Sequence, residues 1–175
     1  DANIWAEKLG IPVKIKNGRR ITDAKTLNLT AAIYAGQINK TIVANLQGLG
    51  CNALGLTGAD ANLIKAVKRP IKTINYGFVG DVTKINNDLF NLFFKQNFVP
   101  VCCAITHNGK GQLLNTNADT IAAEIGKSLS KEIDIKLSYC FDLPGVMKDV
   151  NNSSSLIKRI TKKSYQKLLL NNSIS

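Results

Sequence analysis

The chain has 175 residues and a net charge of +11, and 45% of its residues are hydrophobic. This length fits one ordinary domain, or one large lobe with part of a second. The apolar share is sufficient for a hydrophobic core, and no run of about 18 apolar residues occurs, which excludes a membrane-spanning helix. We therefore expect a globular protein without a membrane partner.

The net positive charge is compatible with two interpretations. A nucleic-acid-binding protein would use it to attract phosphates, whereas a lysine-rich solvated surface would carry it without any such partner. The basic residues are mostly scattered, and the denser groups at Lys65–Lys72 and Lys158–Lys167 are not accompanied by a recognised nucleic-acid-binding motif. The second interpretation is favoured, and we expect no nucleic-acid partner.

The four cysteines, Cys51, Cys102, Cys103 and Cys140, contain no Cys-x-x-Cys pair. Reduced, mostly buried thiols in a cytoplasmic protein are the expected state. Neither metal-ligand spacing nor a base beside a thiol is visible, so we predict no metal site and no catalytic thiol. The only histidine, His107, lies in a Thr-His-Asn-Gly segment and is expected in a loop.

The chain begins with the end of a helix, residues 1–9, which presents Ile4, Trp5 and Leu9 on one face and stops at Gly10. The following elements are predicted from apolar periodicity, caps and turn residues. In chain order they are a strand at Val13–Ile15, a tight turn at Asn17-Gly18, a helical region from Asp23 to Leu46 interrupted near Gly36, a strand at Asn52–Leu56, a hairpin within Ile64–Val82, a helix from Asn87 or Asp88 to Gln96, and a buried strand at Phe98–Ile105.

Beyond the central segment, the pattern predicts a strand at Ile133–Phe141 and a loop at Asp142–Val146. A flexible polar link, Asn151–Ser155, a short strand, Ile157–Ile160, and a last helix that ends at Leu170 follow. Helices and strands that alternate in this way indicate an α/β fold with a parallel sheet.

Polar side chains are concentrated in the segment from Gln112 to Gly126, where a strand is predicted to meet a helix. Asn115, Asn117 and Asp119 lie at this junction, and Asn117 or Asp119 can cap the helix. Such residues often do no more than turn and cap the chain. In parallel α/β sheets, however, ligands bind at the carboxyl ends of strands beside helix N-termini, and the residues alone leave both interpretations open.

The sequence Asn115-Thr116-Asn117-Ala118-Asp119 resembles the Asn-x-Asn-Ala-Asp motif of the amino-acid kinase family, in its acetylglutamate kinase branch. Further segments resemble that branch in the same order, so the similarity extends over almost the whole chain. These segments are Asn17–Ala24, Gly36–Lys40, Gly55–Asp60, Gly77–Val82 and Asp142–Val146.

The resemblance implies a three-layer αβα sandwich with a mostly parallel central sheet. Residues 1–128 would form an acylglutamate-binding and dimerisation lobe, and residues 129–175 the start of a nucleotide-binding lobe. A homodimer would form through the helix near residues 23–46. The implied reaction is transfer of the ATP γ-phosphoryl group, with Mg²⁺, to the γ-carboxylate of an N-acyl-L-glutamate in arginine biosynthesis.

The same resemblance assigns roles to individual residues. Arg20 would hold the α-carboxylate of the substrate, Asn115 would hydrogen-bond the acylamino acid, and Asp119 would organise the lysines that neutralise the transferring phosphoryl group. Asp142 and Gly145 would belong to the nucleotide site. The role of Arg19 stays open, because relatives often have an apolar residue there.

The family's Lys-x-Gly-Gly, His-Gly-Gly-Gly and Gly-Gly-Met-x-x-Lys segments do not occur in this chain. The expectation is therefore a fragment truncated at both ends and inactive by itself. The alternatives are a sister kinase with another acceptor, a non-catalytic family member that serves as a binding or dimer-partner subunit, and a basic nucleic-acid-binding module.

Overall fold

The structure is a computed structural model and describes residues 2–140, 142–149 and 151–170. The chain forms two compact units, of which the first ends at Leu137 and the second begins at Ser138. The division into two ligand-binding lobes at residues 128 and 129 concerns function and stays a prediction.

The first unit contains five α-helices and eight strands among its described residues, together with a π-helical and a 3₁₀ segment. In chain order these are α1 (Ala2–Lys8), β1 (Ile15–Lys16), β2 (Arg19–Arg20), α2 (Ala24–Ala31), the π-helix (Ala32–Ile38), α3 (Asn39–Gly48), β3 (Ala53–Leu56), the 3₁₀ segment (Asp60–Asn62), β4 (Ile64–Lys68), β5 (Gly80–Ile85), α4 (Asn87–Lys95), β6 (Val99–Cys102), β7 (Ile105–His107), β8 (Leu113–Asn115) and α5 (Ala118–Leu129).

Helix α1 ends as predicted, with Gly10 in the left-handed region at φ +63°. The predicted apolar face is wrong, because Ile4, Trp5 and Leu9 are exposed. The buried residues are instead Ala2 and Ala6, which join a hydrophobic cluster with residues of α2 and the π-helix. Small side chains allow the two helix backbones to approach each other closely, and this selects the alanine face.

The turn between β1 and β2 is confirmed at Asn17-Gly18. Both residues have positive φ, +49° and +69°, which is the backbone geometry that joins two antiparallel strands through a two-residue loop. Ile15 pairs with Arg20 across this hairpin. The strand itself starts later than the predicted Val13.

The long helical region is confirmed, and its interruption near Gly36 is a π-helical stretch. Asp23 caps α2 by accepting a hydrogen bond of 2.8 Å from the backbone N–H of Thr26. The π-helix then runs directly into α3 without a turn between them. Wider π-helical turns change which side chains face a given direction and occur frequently at functional sites.

Two sheets form in the first unit besides the β1–β2 hairpin. Strands β3 and β6 pair in parallel, with Gly55 opposite Val101. The other sheet has the order β5-β4-β7-β8, in which β4 and β7 are parallel and the remaining pairs are antiparallel. The predicted α/β class is therefore confirmed, as is the predicted hairpin, β4–β5.

The predicted continuous strand at Phe98–Ile105 is wrong, because this segment supplies one strand to each sheet. Beyond the last residue of β6, Cys103 still donates its N–H to the carbonyl of Leu56 at 2.9 Å. Ile105 then pairs with Asn115 in the other sheet. The prediction of a loop at His107 is also wrong, since this residue is the last of β7.

Helices α4 and α5 cover the main hydrophobic core, in which Leu63 and Ile64 are completely buried and Phe90, Ile121 and Leu129 join them. Helix α4 starts at Asn87, one of the two predicted starts, and its N-cap is Asn86, whose side chain accepts from the N–H of Leu89. The N-cap of α5 is Asn117, one of the two predicted candidates.

The predicted strand at Ile133–Phe141 does not form in the described residues 133–140. Its alternating side chains, Ile133, Ile135, Leu137 and Tyr139, are between 39% and 48% exposed. A strand requires backbone hydrogen bonds to a neighbour, and no described strand pairs with this segment. Phe141 lies outside the described residues.

The second unit contains a 3₁₀ segment, Ser153–Ser155, and helix α6, Lys162–Leu170. At the start of α6 the side-chain oxygen of Thr161 accepts a hydrogen bond of 3.2 Å from the N–H of Ser164. The predicted flexible link is instead hydrogen-bonded, since Ser155 Oγ donates to the carbonyl of Asp149 at 2.7 Å. The strand predicted at Ile157–Ile160 is absent, and a single bridge joins Met147 to Leu156. No described helix has both the length and the apolar content needed to cross a membrane.

Candidate functional site

A cavity of about 400 Å³ lies in the first unit where β2, the π-helix, α3, the end of β6 and the β8–α5 junction meet. It is lined by Gly18, Arg19, Arg20, Tyr34, Ile38, Asn39, Ile42, Val79, Val101, Cys102, Cys103, Ala104, Asn115, Thr116, Asn117 and Ala118. Both charged lining residues are arginines, and three are asparagines. The remaining wall is mostly apolar, so the cavity suits a small anionic ligand with hydrogen-bonding groups.

The β8–α5 junction provides one side of the cavity. Asn117 Oδ1 accepts from the N–H of Thr120 at 2.8 Å, so this side chain is the helix cap. Thr116, which is buried, shares a hydrogen bond of 2.7 Å with the hydroxyl of Thr106. These bonds hold the chain in place where it passes from strand to helix.

Asn115 is linked to a distant part of the chain. Its Nδ2 donates to Thr22 Oγ1 at 3.1 Å, and its backbone N–H donates to the carbonyl of Phe78 at 2.9 Å. Thr22 lies two residues after Arg20, which explains why Arg20 and Asn115 line the same cavity. The structure thus brings together two residues for which the sequence predicted substrate binding.

The backbone of Gly77 passes directly over Thr22. A Cβ atom on Gly77 would lie 2.1 Å from the carbonyl oxygen of Thr22, and the residue has a φ of +72°. Hydrogen bonds from Phe78 N–H to Thr22 O, at 2.7 Å, and from Thr22 N–H to Tyr76 O, at 2.9 Å, tie the two segments together. A glycine is therefore required for this wall of the site to form.

Arg20 lies at the end of β2, and its guanidinium donates a hydrogen bond to Asn3 Oδ1. Arg19 also lines the cavity, and no aspartate or glutamate of the described residues does so. The two arginines consequently give the cavity a positive charge, and a guanidinium can bind a carboxylate through two parallel hydrogen bonds.

The cavity also contains a residue that sequence reasoning missed. Asn39 is only 2% exposed and donates from Nδ2 to the carbonyl of Val101 at 2.8 Å. It belongs to Gly36–Lys40, one of the segments that resemble the family. This resemblance is the feature of the sequence that could have identified Asn39. The segment reads as an ordinary piece of helix, and only the fold places Asn39 in the cavity.

Two adjacent cysteines, Cys102 and Cys103, lie in the cavity wall. Burial raises the pKa of the Cys102 thiol to about 12. Burial also raises the pKa of the Cys103 thiol. Thiols in such surroundings stay protonated near neutral pH, and a protonated thiol is a poor nucleophile.

The other residues with predicted roles lie outside the lining of the cavity. Asp119 follows the lining residue Ala118 in the first turn of α5. Asp142 and Gly145 belong to the second unit, where a Cβ on Gly145 would lie 2.6 Å from Leu156 Cδ1. Among the described residues, no three His, Cys, Asp or Glu side chains are grouped to hold a metal ion.

A profile of the amino acid kinase family matches residues 2–174. Among curated proteins, the acetylglutamate kinase of Phocaeicola vulgatus is 51% identical over 164 residues, which cover 94% of this chain and 64% of that protein. The acetylglutamate kinase of Bacteroides thetaiotaomicron is 52% identical over 161 residues, which cover 92% of this chain and 63% of that protein. The chain thus spans less than two thirds of the length of either relative.

Two solved structures have a similar fold. A protein of Streptococcus mutans UA159 superimposes with a TM-score of 0.86 and 24% identity, over 99% of this chain and 67% of that one. The N-acetylglutamate synthase of Neisseria gonorrhoeae, crystallised with coenzyme A and N-acetyl-glutamate, has a TM-score of 0.61 and 21% identity, over 73% of this chain and 29% of that one. The profile match covers nearly the whole chain, and the chain therefore belongs to the amino acid kinase family.

Proposed function

We propose that this chain is part of an enzyme that transfers the γ-phosphoryl group of ATP to the γ-carboxylate of an N-acyl-L-glutamate, N-acetyl-L-glutamate in the first instance. This is the second step of arginine biosynthesis. The observation that carries the proposal is the cavity in which Arg19, Arg20 and Asn115 meet an apolar wall. Relatives about half identical in sequence are named acetylglutamate kinases.

The lining of the cavity suits each part of such a substrate. Arg20 would bind the α-carboxylate through its planar pair of donors. Asn115 has both a donor and an acceptor for the acylamino group, and Val79 and Val101 provide an apolar surface for the acyl chain. The described lining residues include no carboxylate, so an anionic ligand meets no like charge from them.

The chemistry requires positioning rather than proton transfer. The acceptor carboxylate is already an anion, so no general base is needed, and the barrier lies in bringing two anions together. Asp119 would organise the lysines that neutralise the phosphoryl group, and Asp142 and Gly145 would contact the nucleotide. Mg²⁺ would arrive with the ATP phosphates, which is its usual mode of binding in kinases.

The proposal extends to assembly and location. The helical region from Asp23 to Leu46 would form the centre of a homodimer in the cytoplasm. A full-length protein that sediments as a monomer at micromolar concentration would contradict the dimer.

The decisive assay is ATP-dependent phosphorylation by the full-length protein of N-acetyl-L-glutamate, N-succinyl-L-glutamate and unacylated glutamate. We expect turnover with an acylated substrate only. A protein that binds acylglutamate without turnover would instead be the non-catalytic family member.

Arg20→Lys tests the substrate role of the arginine. A lysine cannot form the paired hydrogen bonds, so we expect the KM for acylglutamate to rise by about tenfold or more, with a smaller change in kcat. Arg159→Lys is the control, because Arg159 is exposed in the second unit. An unchanged KM in Arg20→Lys would remove this residue from the site.

Asp119→Ala tests the organising role. We expect kcat to fall by about 100-fold or more, the scale for loss of a group that stabilises transition-state charge, with little change in substrate affinity. Asp88→Ala is a matched control, since Asp88 is the second residue of α4 as Asp119 is of α5. Equal losses in kcat and affinity for Asp119→Ala would argue for a binding role instead.

A further inference from the structure

Asn39, the first residue of α3, has a polar side chain deep in the cavity wall. It is 2% exposed and lines the cavity. A buried amide needs hydrogen-bond partners, because an unsatisfied polar group destabilises the fold. The arrangement of these partners shows which way the amide points.

Chemistry alone decides the orientation of this amide. Val101 O can only accept a hydrogen bond, so the group 2.8 Å from it must be Nδ2. Lys40 Nζ can only donate, so the group 3.1 Å from it must be Oδ1. Neither bond would survive a flip of the amide.

Lys40 and Asn39 each donate a hydrogen bond to one strand of the parallel pair β3–β6. Lys40 Nζ also donates to the carbonyl of Gly55 at 3.0 Å. Gly55 and Val101 are directly opposite each other in β3 and β6. A Cβ on Gly55 would lie 2.1 Å from Asn39 Oδ1 and 2.8 Å from Lys40 Nζ, so only a glycine leaves room for the pair.

The amide retains a donor beyond these contacts. Nδ2 carries two hydrogens, and within the described part of the chain one acceptor, Val101 O, is assigned to it. The bond from the Lys40 ammonium to Oδ1 polarises the amide and strengthens its N–H groups as donors. Lys40 belongs to neither ion pair found among the described residues, so its charge is not neutralised by a salt bridge there.

We propose that Asn39 is a further ligand-binding residue of the cavity, which donates its second Nδ2 hydrogen to a carboxylate or acyl oxygen of the ligand, and that Lys40 is the positioning residue that orients the amide. The proposal rests on the proposed function, which supplies an N-acyl-L-glutamate as the ligand. The charge of Lys40 also acts on Cys103 in the cavity wall: burial raises the pKa of this thiol, and the positive charge of Lys40 partly offsets that rise.

Asn39→Asp in the full-length protein is the sharpest test, because it keeps the shape of the side chain and replaces the donor with an anionic acceptor. We expect the Kd for N-acetyl-L-glutamate, measured by calorimetry without ATP, to rise by about tenfold or more, the scale of a hydrogen bond to a charged group. The KM should rise in parallel and kcat should change less. Asn52→Asp makes the same change in charge at an exposed position outside both the cavity lining and the region Asp23–Leu46, and it should leave Kd unchanged.

Lys40 provides a second variant in case Asn39→Asp does not fold. Lys40→Met should raise the KM by a few fold, and Lys40→Arg, which keeps the charge and the donors, should restore it. A Kd for Asn39→Asp equal to that of Asn52→Asp would overturn the proposal. So would losses of melting temperature, kcat and affinity together, which indicate a structural role. A wild-type protein that does not bind N-acetyl-L-glutamate would overturn the proposed function, and with it the ligand assigned to Asn39.

Discussion

Replacing Gly77 by alanine should disconnect two walls of the cavity. The new Cβ would lie 2.1 Å from Thr22 O and 2.8 Å from Thr22 C, both backbone atoms of a fully buried residue. The segments that contain Gly77 and Thr22 can relieve this overlap only by moving apart. The backbone hydrogen bonds Phe78 N–H to Thr22 O and Thr22 N–H to Tyr76 O would then lengthen or break.

The expected destabilisation is the sum of three contributions. An alanine at the φ of Gly77, +72°, costs about 1 kcal/mol, and each backbone hydrogen bond contributes about 1 kcal/mol. The total of about 3 kcal/mol lowers the melting temperature by about 6–12 °C for a domain of this size. Because Thr22 Oγ1 accepts from Asn115 Nδ2, the affinity for acylglutamate should fall as well.

Thermal unfolding of the full-length protein, followed by circular dichroism, measures this effect. Gly111→Ala is the matched control, because Gly111 also has a positive φ, +89°, but a Cβ there meets no atom within 4 Å. It should carry only the conformational cost, about 1 kcal/mol. Equal melting temperatures for the two variants would refute the reasoning that the contact with Thr22 requires a glycine.

Two further predictions concern ionisable groups outside the proposed ligand contacts. Since burial raises the pKa of Cys102 to about 12, this thiol should react slowly with an aromatic disulfide reagent at pH 8. Cys140 is exposed, so Cys140→Ser should remove the fastest phase of the thiol reaction. A fast phase that is unchanged in this variant would contradict the prediction. The hydrogen bond from the Thr26 N–H lowers the pKa of Asp23. The carboxylate therefore stabilises the fold fully at pH values above the usual aspartate pKa of about 3.9. This stabilisation is lost as the pH falls through the lowered pKa of the folded state. Asp23→Ala should therefore cost about 1 kcal/mol of the free energy of unfolding at pH 7 and much less at strongly acidic pH, whereas Asp23→Asn should keep the cap; a cost for Asp23→Ala that does not change with pH would contradict the role of the carboxylate.

The features that could be predicted from the sequence depend on interactions between residues close together in the chain. The Asn17-Gly18 turn needs positive φ at two successive residues, and few residue types tolerate it. Asn117 caps α5 through a bond to the third residue after it. Arg20 and Asn115 could be proposed for one site because the motifs around them resemble those of a family.

The predictions that were wrong concern features that depend on distant parts of the chain. Residues 133–140 have the alternation of a strand, but a strand exists only when another strand pairs with it, and none of those described does. The segment from Phe98 to Ile105 is apolar throughout, yet it leaves one sheet at Cys103 and joins another at Ile105. Apolar periodicity indicates that a residue is suited to burial, but it does not specify the strand with which the segment will pair.

The composition and local patterns of this chain by themselves determined an α/β fold, most of its helices and the position of a polar junction at Asn115–Asp119. Only the tertiary structure decided that Asn39 faces the cavity, that Gly55 leaves room for it and that Gly77 lies over Thr22. The physical reason is that helices, caps and turns are stabilised by contacts within a few residues. The walls of a cavity, by contrast, are formed by segments far apart in sequence, whose fit depends on the positions of all the others.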